Sequence, residues 1–336
     1  MARVFIIAEA GVNHNGSVDL ALQLIDAAKA SGADAIKFQT FRADRIATRS
    51  AQMANYQQLR AADGESQFEM LRRLELDAAV HRRLFDYCGK IGIQFLSSPF
   101  DLESIDLLDT LEVPLLKIPS GEITNLPFLE RIAAKGRPVI LSTGMSTLGE
   151  VEEAVQVLRA GGTSEITLLH CVTEYPAPYA EINLRAMQTL KSAFRLPVGY
   201  SDHTPGIEIA IAAVALGAEV IEKHITLDRS LPGPDHSASL EPREFKQMVA
   251  AIRNVEKALG DGIKAAAPCE LPNMSVARKS VVATRALPSG HMLVADDLDI
   301  KRPGTGLSPK LLTVLIGRTL RTDVEPDEVI LWDHLA

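Results

Sequence analysis

Ser201, Asp202 and His203 stand side by side in the stretch PVGYSDHTPG, residues 197–206. Those three residue types fit a hydrolase triad, a metal site, or the polar end of a strand. A triad needs side chains that converge from different directions. Successive side chains on a strand point to opposite faces, so Ser201 and His203 share one face and Asp202 takes the other. That geometry disfavours the triad. A second apolar run, VIEKHIT, ends near His224. Neighbouring strands lie about 4.8 Å apart, so His203 and His224 on adjacent strands can meet one divalent ion. Two protein ligands leave room for water and substrate, which suits a Lewis-acid ion such as Mn2+ better than structural zinc. A single histidine reads more simply as a loop hydrogen-bonder; the pair favours the metal. His236, in PGPDHSAS, is a weaker third candidate and reads as a loop residue.

A second group can hold an anion. Lys117 and Ser120 lie in LLKIPS, Ser142 in PVILSTG and Ser201 in PVGYSDHT. Lysine supplies charge and the hydroxyls supply donors, which is how a small phosphoanion is bound. Each serine alone reads as a strand-end cap; their shared rim with Lys117 favours the phosphate.

Something must bring these residues together. Short β-rich runs recur at residues 4–11, 34–40, 93–100, 115–120, 138–144, 166–172, 197–204 and 220–226. Most are near-continuous apolar runs, the mark of parallel strands buried on both faces. Helical stretches alternate with them. Thr147 and Glu150 have capping-box spacing, and Val151, Val155 and Leu158 fall on one helical face. Phe245, Val249, Ile252 and Leu259 repeat that period. SGADAIKFQ (residues 31–39) and LGAEVIEKH (residues 216–224) share a pattern, each with a glycine closing a helix before a strand. Eight such units predict a (β/α)8 TIM barrel, whose reactive groups sit at the C-terminal strand ends. An open doubly wound sheet is the alternative, but no GxGxxG follows the first run. Polar residues close every run: Glu9; Lys37 and Gln39; Ser97 and Ser98; Lys117, Ser120 and Glu122; Ser142 and Thr143; His170 and Thr173; Ser201 and His203; Lys223 and His224. Residues 51–90 form an enlarged, helical connection of the kind that shapes a barrel mouth.

The division expected is a barrel over residues 1–262, a small-residue and proline-rich linker over 263–279, and a β-rich module over 280–336. That module is short enough to need docking on the barrel or on a partner subunit. The 336 residues are 46% hydrophobic, with a net charge of −8. The charge disfavours non-specific nucleic-acid binding. No apolar run is long enough to cross a bilayer, and the apolar start is too short for a signal-peptide core. The three cysteines are scattered and lack a CxxC, which points to a reducing cytoplasm.

AEAGVNHNG, KFQTF, KIPSGEITN, LSTGMS, GYSDHT, EKHITLD and PGPDHSAS resemble, in order, the sialic acid (N-acetylneuraminate) synthases. KRPGTGLSP resembles their C-terminal antifreeze-like (β-clip) domain. The resemblance implies condensation of phosphoenolpyruvate (PEP) with an N-acylated mannosamine-type sugar, giving a nonulosonic acid and phosphate. It implies one divalent metal, Mn2+ or Mg2+, held by His203 and His224. PEP would be bound by Lys117, Ser120, Ser142 and Ser201, with Glu122 beside the reacting carbons. Glu9 and Asp235 would join Glu122 as catalytic groups, and Gln39 and Tyr175 would contact the sugar. Arg302 would reach the sugar's acyl group from the second subunit of a domain-swapped homodimer. Sialic acid synthases often carry an asparagine near the YP of the sixth strand; here HCVTEYPAPY places Thr173 and Glu174 there. N-acetylmannosamine is the default acceptor, and a diacetamido-trideoxy sugar of the legionaminic acid branch is the runner-up. A metal-dependent pyruvate aldolase, a Schiff-base aldolase using Lys117, and a noncatalytic sugar- or ice-binding protein are further alternatives.

Overall fold

The computed structural model describes residues 3–58 and 65–336. It divides into two compact units, Met1–Gly260 and Asp261–Ala336.

The first unit is built on one parallel sheet of eight strands: β1 (Phe5–Gly11), β2 (Ala35–Thr40), β3 (Gln94–Pro99), β4 (Leu116–Ile118), β5 (Val139–Ser142), β6 (Ile166–His170), β7 (Val198–Asp202) and β8 (Val220–His224). They pair in the order β3-β2-β1-β8-β7-β6-β5-β4. Because β1 pairs with β8 as well as β2, the sheet curls round, and β3 and β4 come into contact. The result is the expected barrel, nearly closed. Alternation along each strand gives two cores. Ile6, Ile36, Phe95, Leu141, Leu168 and Tyr200 face outward and pack under the helices. Ile7, Ala35, Leu96, Ile140, Leu169 and Val220 fill the lower part of the barrel. Gly199 is required there, since a Cβ would lie 2.3 Å from the Val220 carbonyl oxygen.

The helices follow the patterned segments. Helix Leu148–Ala160 starts with the Thr147–Glu150 capping box and buries Val151, Ala154, Val155 and Leu158. Helix Pro242–Leu259 buries Phe245, Met248, Val249 and Ile252. The matching glycines of the internal repeat, Gly32 and Gly217, both have left-handed φ, +85° and +97°, which glycine adopts without strain. In the long second connection, helices span Asn55–Gln58, Gln67–Leu74 and Ala78–Ile91. Residues 59–60, also expected to be helical, lie outside the described residues.

In the second unit, β9 (Ser280–Ala283) pairs antiparallel with β10 (Leu298–Lys301). Isolated bridges such as Leu287 to Val324 tie its turns together. It has its own core of Val281, Leu293, Leu315, Leu320 and Ile330. The stretch expected as a linker differs: it carries helix Leu271–Ala277 and belongs to this unit. Pro272 near the helix start is compatible with helix initiation, whereas proline composition alone read as a linker.

Candidate active site

The C-terminal ends of the strands enclose a cavity of about 280 Å³. Its floor is one layer of inward-facing residues: Glu9, Lys37, Ser98, Lys117, Ser142, Cys171, Ser201 and Glu222. Strand register sets this level, with Glu9 opposite Lys37 and Ser201 opposite Glu222.

Four of these side chains are charged and buried. Lys37 Nζ lies 2.9 Å from Glu9 Oε2 and 3.8 Å from Glu222 Oε1, and it donates to Ser98 Oγ at 3.0 Å. Lys117 Nζ lies 3.7 Å from Glu222 Oε1 and donates to Ser142 Oγ at 2.6 Å. Ser201 Oγ donates to the same Glu222 oxygen at 3.0 Å. Burial pushes Glu9 up to about 7, against the pull of Lys37. Burial also opposes charge on Glu222, but Lys117 and Lys37 outweigh it and hold the carboxyl below its ordinary range. Burial lowers Lys117, with Glu222 opposing. At Lys37 burial is outweighed by Glu222 and Glu9, and the ammonium is held charged. Lysines and hydroxyls gathered in this way can hold an anion.

The histidines sit one step above. Their rings lie 5.5 Å apart between centroids, and Tyr175 packs 4.1 Å from His203 and 5.5 Å from His224. His203 Nδ1 is 2.6 Å from the Val172 carbonyl oxygen. That contact puts the ring proton on Nδ1 and leaves a lone pair on Nε2. His224 Nδ1 is buried without a hydrogen-bond partner. Burial lowers His203 to about 4 and His224 well below its ordinary value. His203 Nε2 has Ser201 Oγ at 3.4 Å, a hydroxyl whose proton goes to Glu222, so its lone pair stays available, and two neutral imidazoles of this kind fit a divalent cation. Among the described residues no cluster of three or more His, Cys, Asp or Glu could hold a metal; this pair alone would leave most of a cation's coordination to water or substrate.

Asp235 Oδ2 lies 3.8 Å from His224 Nδ1, and burial raises its carboxyl to about 6. Gln39 Nε2 donates to Glu9 Oε1 at 3.4 Å. Glu9, Gln39 and Asp235 close around Gly11, whose φ is +52° and whose Cβ would lie 3.3–3.4 Å from all three. Ser120 Oγ accepts from Gly144 N at 3.0 Å and contacts Cys171 Sγ at 3.1 Å. Thr173 Oγ1 is buried without a hydrogen-bond partner and also lines the cavity. Apolar residues of the lining pack together as a cluster of their own, made by Val12, Phe41, Ile46, Met70, Leu71, Leu74 and Phe100.

Ten of the twelve residues expected at the site therefore line one cavity. Glu122 does not. It ends the 3-10 turn Ser120–Glu122, and its Oε2 accepts from Asn125 Nδ2 at 2.7 Å. Arg302 belongs to the C-terminal unit, where its Nε donates to the Ala277 carbonyl at 3.1 Å. Other strand-end residues face the helices instead. Ser97 bonds Thr40 at 2.6 Å, and His170 Nε2 bonds the Ile182 carbonyl at 2.7 Å. Lys223 pairs with Asp202, on the side of β7 away from Ser201 and His203, so this serine–aspartate–histidine run forms no triad. His236 sits in a 3-10 turn, its Nδ1 2.7 Å from Thr226 Oγ1. Sequence reasoning missed Glu222 and did not assign Lys37 a role. The internal repeat carries that signal: it aligns Lys37 with Glu222 and Gln39 with His224.

Comparison with known proteins shows the family of the chain. Residues 24–264 match the NeuB family, and residues 278–336 match the SAF domain. The chain is 52% identical to the N,N'-diacetyllegionaminic acid synthase of Campylobacter jejuni, over 98% of this chain and 99% of that one. It is 48% identical to the enzyme of the same name from Legionella pneumophila, over 98% and 94%. The crystal structure of the N-acetylneuraminic acid synthetase of Leptospira borgpetersenii superposes with a TM-score of 0.70 at 38% identity, over 81% of this chain and 90% of that one. With a TIM barrel, a SAF domain and relatives matched end to end, the chain belongs to the NeuB family and is a condensing enzyme of the nonulosonic acid synthase class.

Proposed function

We propose that this enzyme joins PEP to the open-chain aldehyde of 2,4-diacetamido-2,4,6-trideoxymannose, giving N,N'-diacetyllegionaminic acid and phosphate. The observation that carries the reading is the mixed lining of the cavity. Its floor of Lys37, Lys117, Ser142 and Ser201 suits a phosphate, and its cluster of Phe41, Met70, Leu71 and Leu74 is apolar. A sugar with a methyl at C6 and two acetyl methyls has apolar surface to bury there, about 0.8 kcal/mol per CH2-sized group. The greater identity to two legionaminic acid synthases than to the Leptospira synthetase supports the same choice. N-acetylmannosamine is the second reading, supported by that synthetase's likeness.

Lys117, Ser142 and Ser201 bind the phosphate, Lys37 lies at the same level, and Ser120 caps the mouth beside Gly144. Thr173 offers its unpartnered hydroxyl to the sugar, with Gln39 and Tyr175 beside it. A divalent Mn2+ or Mg2+ held by His203 and His224 would polarise the sugar's carbonyl oxygen. C3 of PEP then bonds the aldehyde carbon, and the former carbonyl oxygen takes a proton. Water adds at C2, losing one proton; the C2 hydroxyl so formed gives up its remaining proton to the departing phosphate as the C–O bond breaks, leaving the C2 ketone. Glu9 and Asp235, whose carboxyls are raised to about 7 and about 6, are the groups suited to giving and taking those protons near neutrality. Glu122 is turned to Asn125, outside the cavity lining, and has no part in these steps. A cytoplasmic homodimer bringing a second copy's Arg302 to the sugar completes the proposal.

The test is a substrate panel. PEP is offered with N-acetylmannosamine or with its 2,4-diacetamido-trideoxy analogue, and products are read by mass. Preference for the trideoxy sugar is expected; preference for N-acetylmannosamine overturns the choice of sugar. EDTA should stop turnover and Mn2+ restore it. Sedimentation at micromolar concentration should give a dimer.

A further inference from the structure

The Asp202–Lys223 pair lines no part of the cavity and takes no part in the chemistry above. Yet each residue immediately precedes one of the two histidines. We propose that this buried ion pair positions His203 and His224, fixing β7 against β8 and the turn around His203 so that both imidazoles are ready for one divalent cation. The inference rests on the reading of the two histidines as the cation's ligands.

Asp202 and Lys223 are register partners across β7 and β8. Both side chains are fully buried, with Lys223 Nζ 2.8 Å from Asp202 Oδ2. The pair also grips the residue after His203. Asp202 Oδ1 accepts from Thr204 N at 2.9 Å and from Thr204 Oγ1 at 2.8 Å. Lys223 Nζ donates to the Thr204 carbonyl at 2.5 Å. Every polar group of Thr204 is thereby held by the two residues. His203 is left between two anchored neighbours, its own carbonyl accepting from Ala177 N at 2.9 Å. His224 follows Lys223 directly, and its carbonyl accepts from Leu240 N at 2.9 Å.

Stability alone is a poor reason for such a pair. Well-packed apolar residues of similar volume often serve as well or better, because two desolvated charges must be offset. What apolar residues lack is direction. A one-residue slip of β7 would carry His203 to the outer face, and would break these bonds together. The groups around a metal-binding histidine commonly set its orientation and so the metal's affinity.

The experiment compares Mn2+ affinity, from electron paramagnetic resonance of the free ion, with the thermal midpoint. The wild type, Asp202→Leu/Lys223→Met, Asp202→Asn and His203→Ala are measured side by side. Asp202→Asn, which leaves a buried ammonium without its counter-charge, should melt lowest and bind Mn2+ more weakly. The double variant should regain much of the midpoint yet bind Mn2+ about 10- to 100-fold more weakly than wild type. A double variant that binds like wild type, beside a His203→Ala that does not bind, overturns this inference alone. His203→Ala binding like wild type overturns the ligand reading and this inference with it. Should the double variant not fold, Thr204→Val removes one bond to Asp202 and carries the test. A loss of about 3-fold or more supports the proposal; unchanged affinity overturns it.

Discussion

Ser201 and Glu222 face each other across β7 and β8 as register partners, and the serine hydroxyl donates to the carboxylate at 3.0 Å. That bond ties the expected phosphate-binding serine to a carboxylate which also neighbours Lys37 and Lys117. The floor of the cavity is thus one electrostatic unit, and altering any member disturbs the rest.

Lys117→Met should lower kcat/KM for PEP about 10- to 100-fold, the effect of losing a charge-assisted bond worth about 1.5–3 kcal/mol. It should also lower the melting temperature, because Glu222 loses one of the two lysines beside it and keeps Lys37. Steady-state kinetics beside a thermal melt checks both; wild-type kcat/KM would remove Lys117 from the anion site.

Gly144→Ala should cost more activity than stability. A Cβ there would lie 2.4 Å from Thr173 Oγ1, 2.8 Å from Ser120 Oγ and 2.9 Å from Cys171 Sγ. All three line the cavity, so relief comes by moving them. A KM for PEP or sugar raised about 10-fold or more, with an unchanged circular dichroism spectrum, is expected for a misplacement near 1 Å.

Glu9 sets a pH dependence. Its carboxyl is raised from 4.5 to about 7 by burial, against Lys37. Between those values the folded chain holds a proton that the unfolded chain has released. Its contribution to stability is therefore full below 4.5 and lost as pH rises through about 7. Asp235, raised from 3.8 to about 6 by burial, acts in the same direction. Melting temperatures from pH 5 to 8 should fall less steeply in Glu9→Gln than in wild type, and less again with Asp235→Asn added.

The C-terminal unit should have the opposite dependence. Asp297 is fully buried, and burial alone would raise it. It accepts from Val294 N at 2.9 Å, from Arg285 at 2.6 Å and lies 2.7 Å from His291 Nε2. Those partners prevail and hold it at about 2, below its ordinary 3.8. The stability it contributes is present above 3.8 and lost as pH falls through about 2. Asp297→Asn should destabilise this unit by about 1.5–3 kcal/mol at neutral pH and flatten its acid unfolding, as read by hydrogen exchange of β9 and β10.

Much of this was legible in the residues. Period-two alternation separates Ser201 and His203 from Asp202 before any coordinates, and β7 has that arrangement. The capping box at Thr147 and Glu150 marks a real helix start. Strand ends were harder, because a polar residue there reads the same whether it faces the cavity or the helices. Ser98 faces in and Ser97 out, a distinction set by register with β2. Glu222 lies two residues before His224 inside an apolar run, where a lone carboxylate resembles packing until Lys37 and Lys117 come beside it. Glu122 follows Ser120 by two residues, but the 3-10 turn sends them to different surroundings.

The two lysines and two glutamates under the cavity nearly cancel before any substrate arrives. A multiply charged anion entering there makes a proton on Glu9 more favourable, since that carboxyl already titrates at about 7. Capture of the enol phosphate should accordingly draw hydrogen ions out of solution. Calorimetric titrations in buffers of different ionisation enthalpy would report that uptake as a heat proportional to the buffer's own, and affinity for the anion should weaken as the medium turns alkaline.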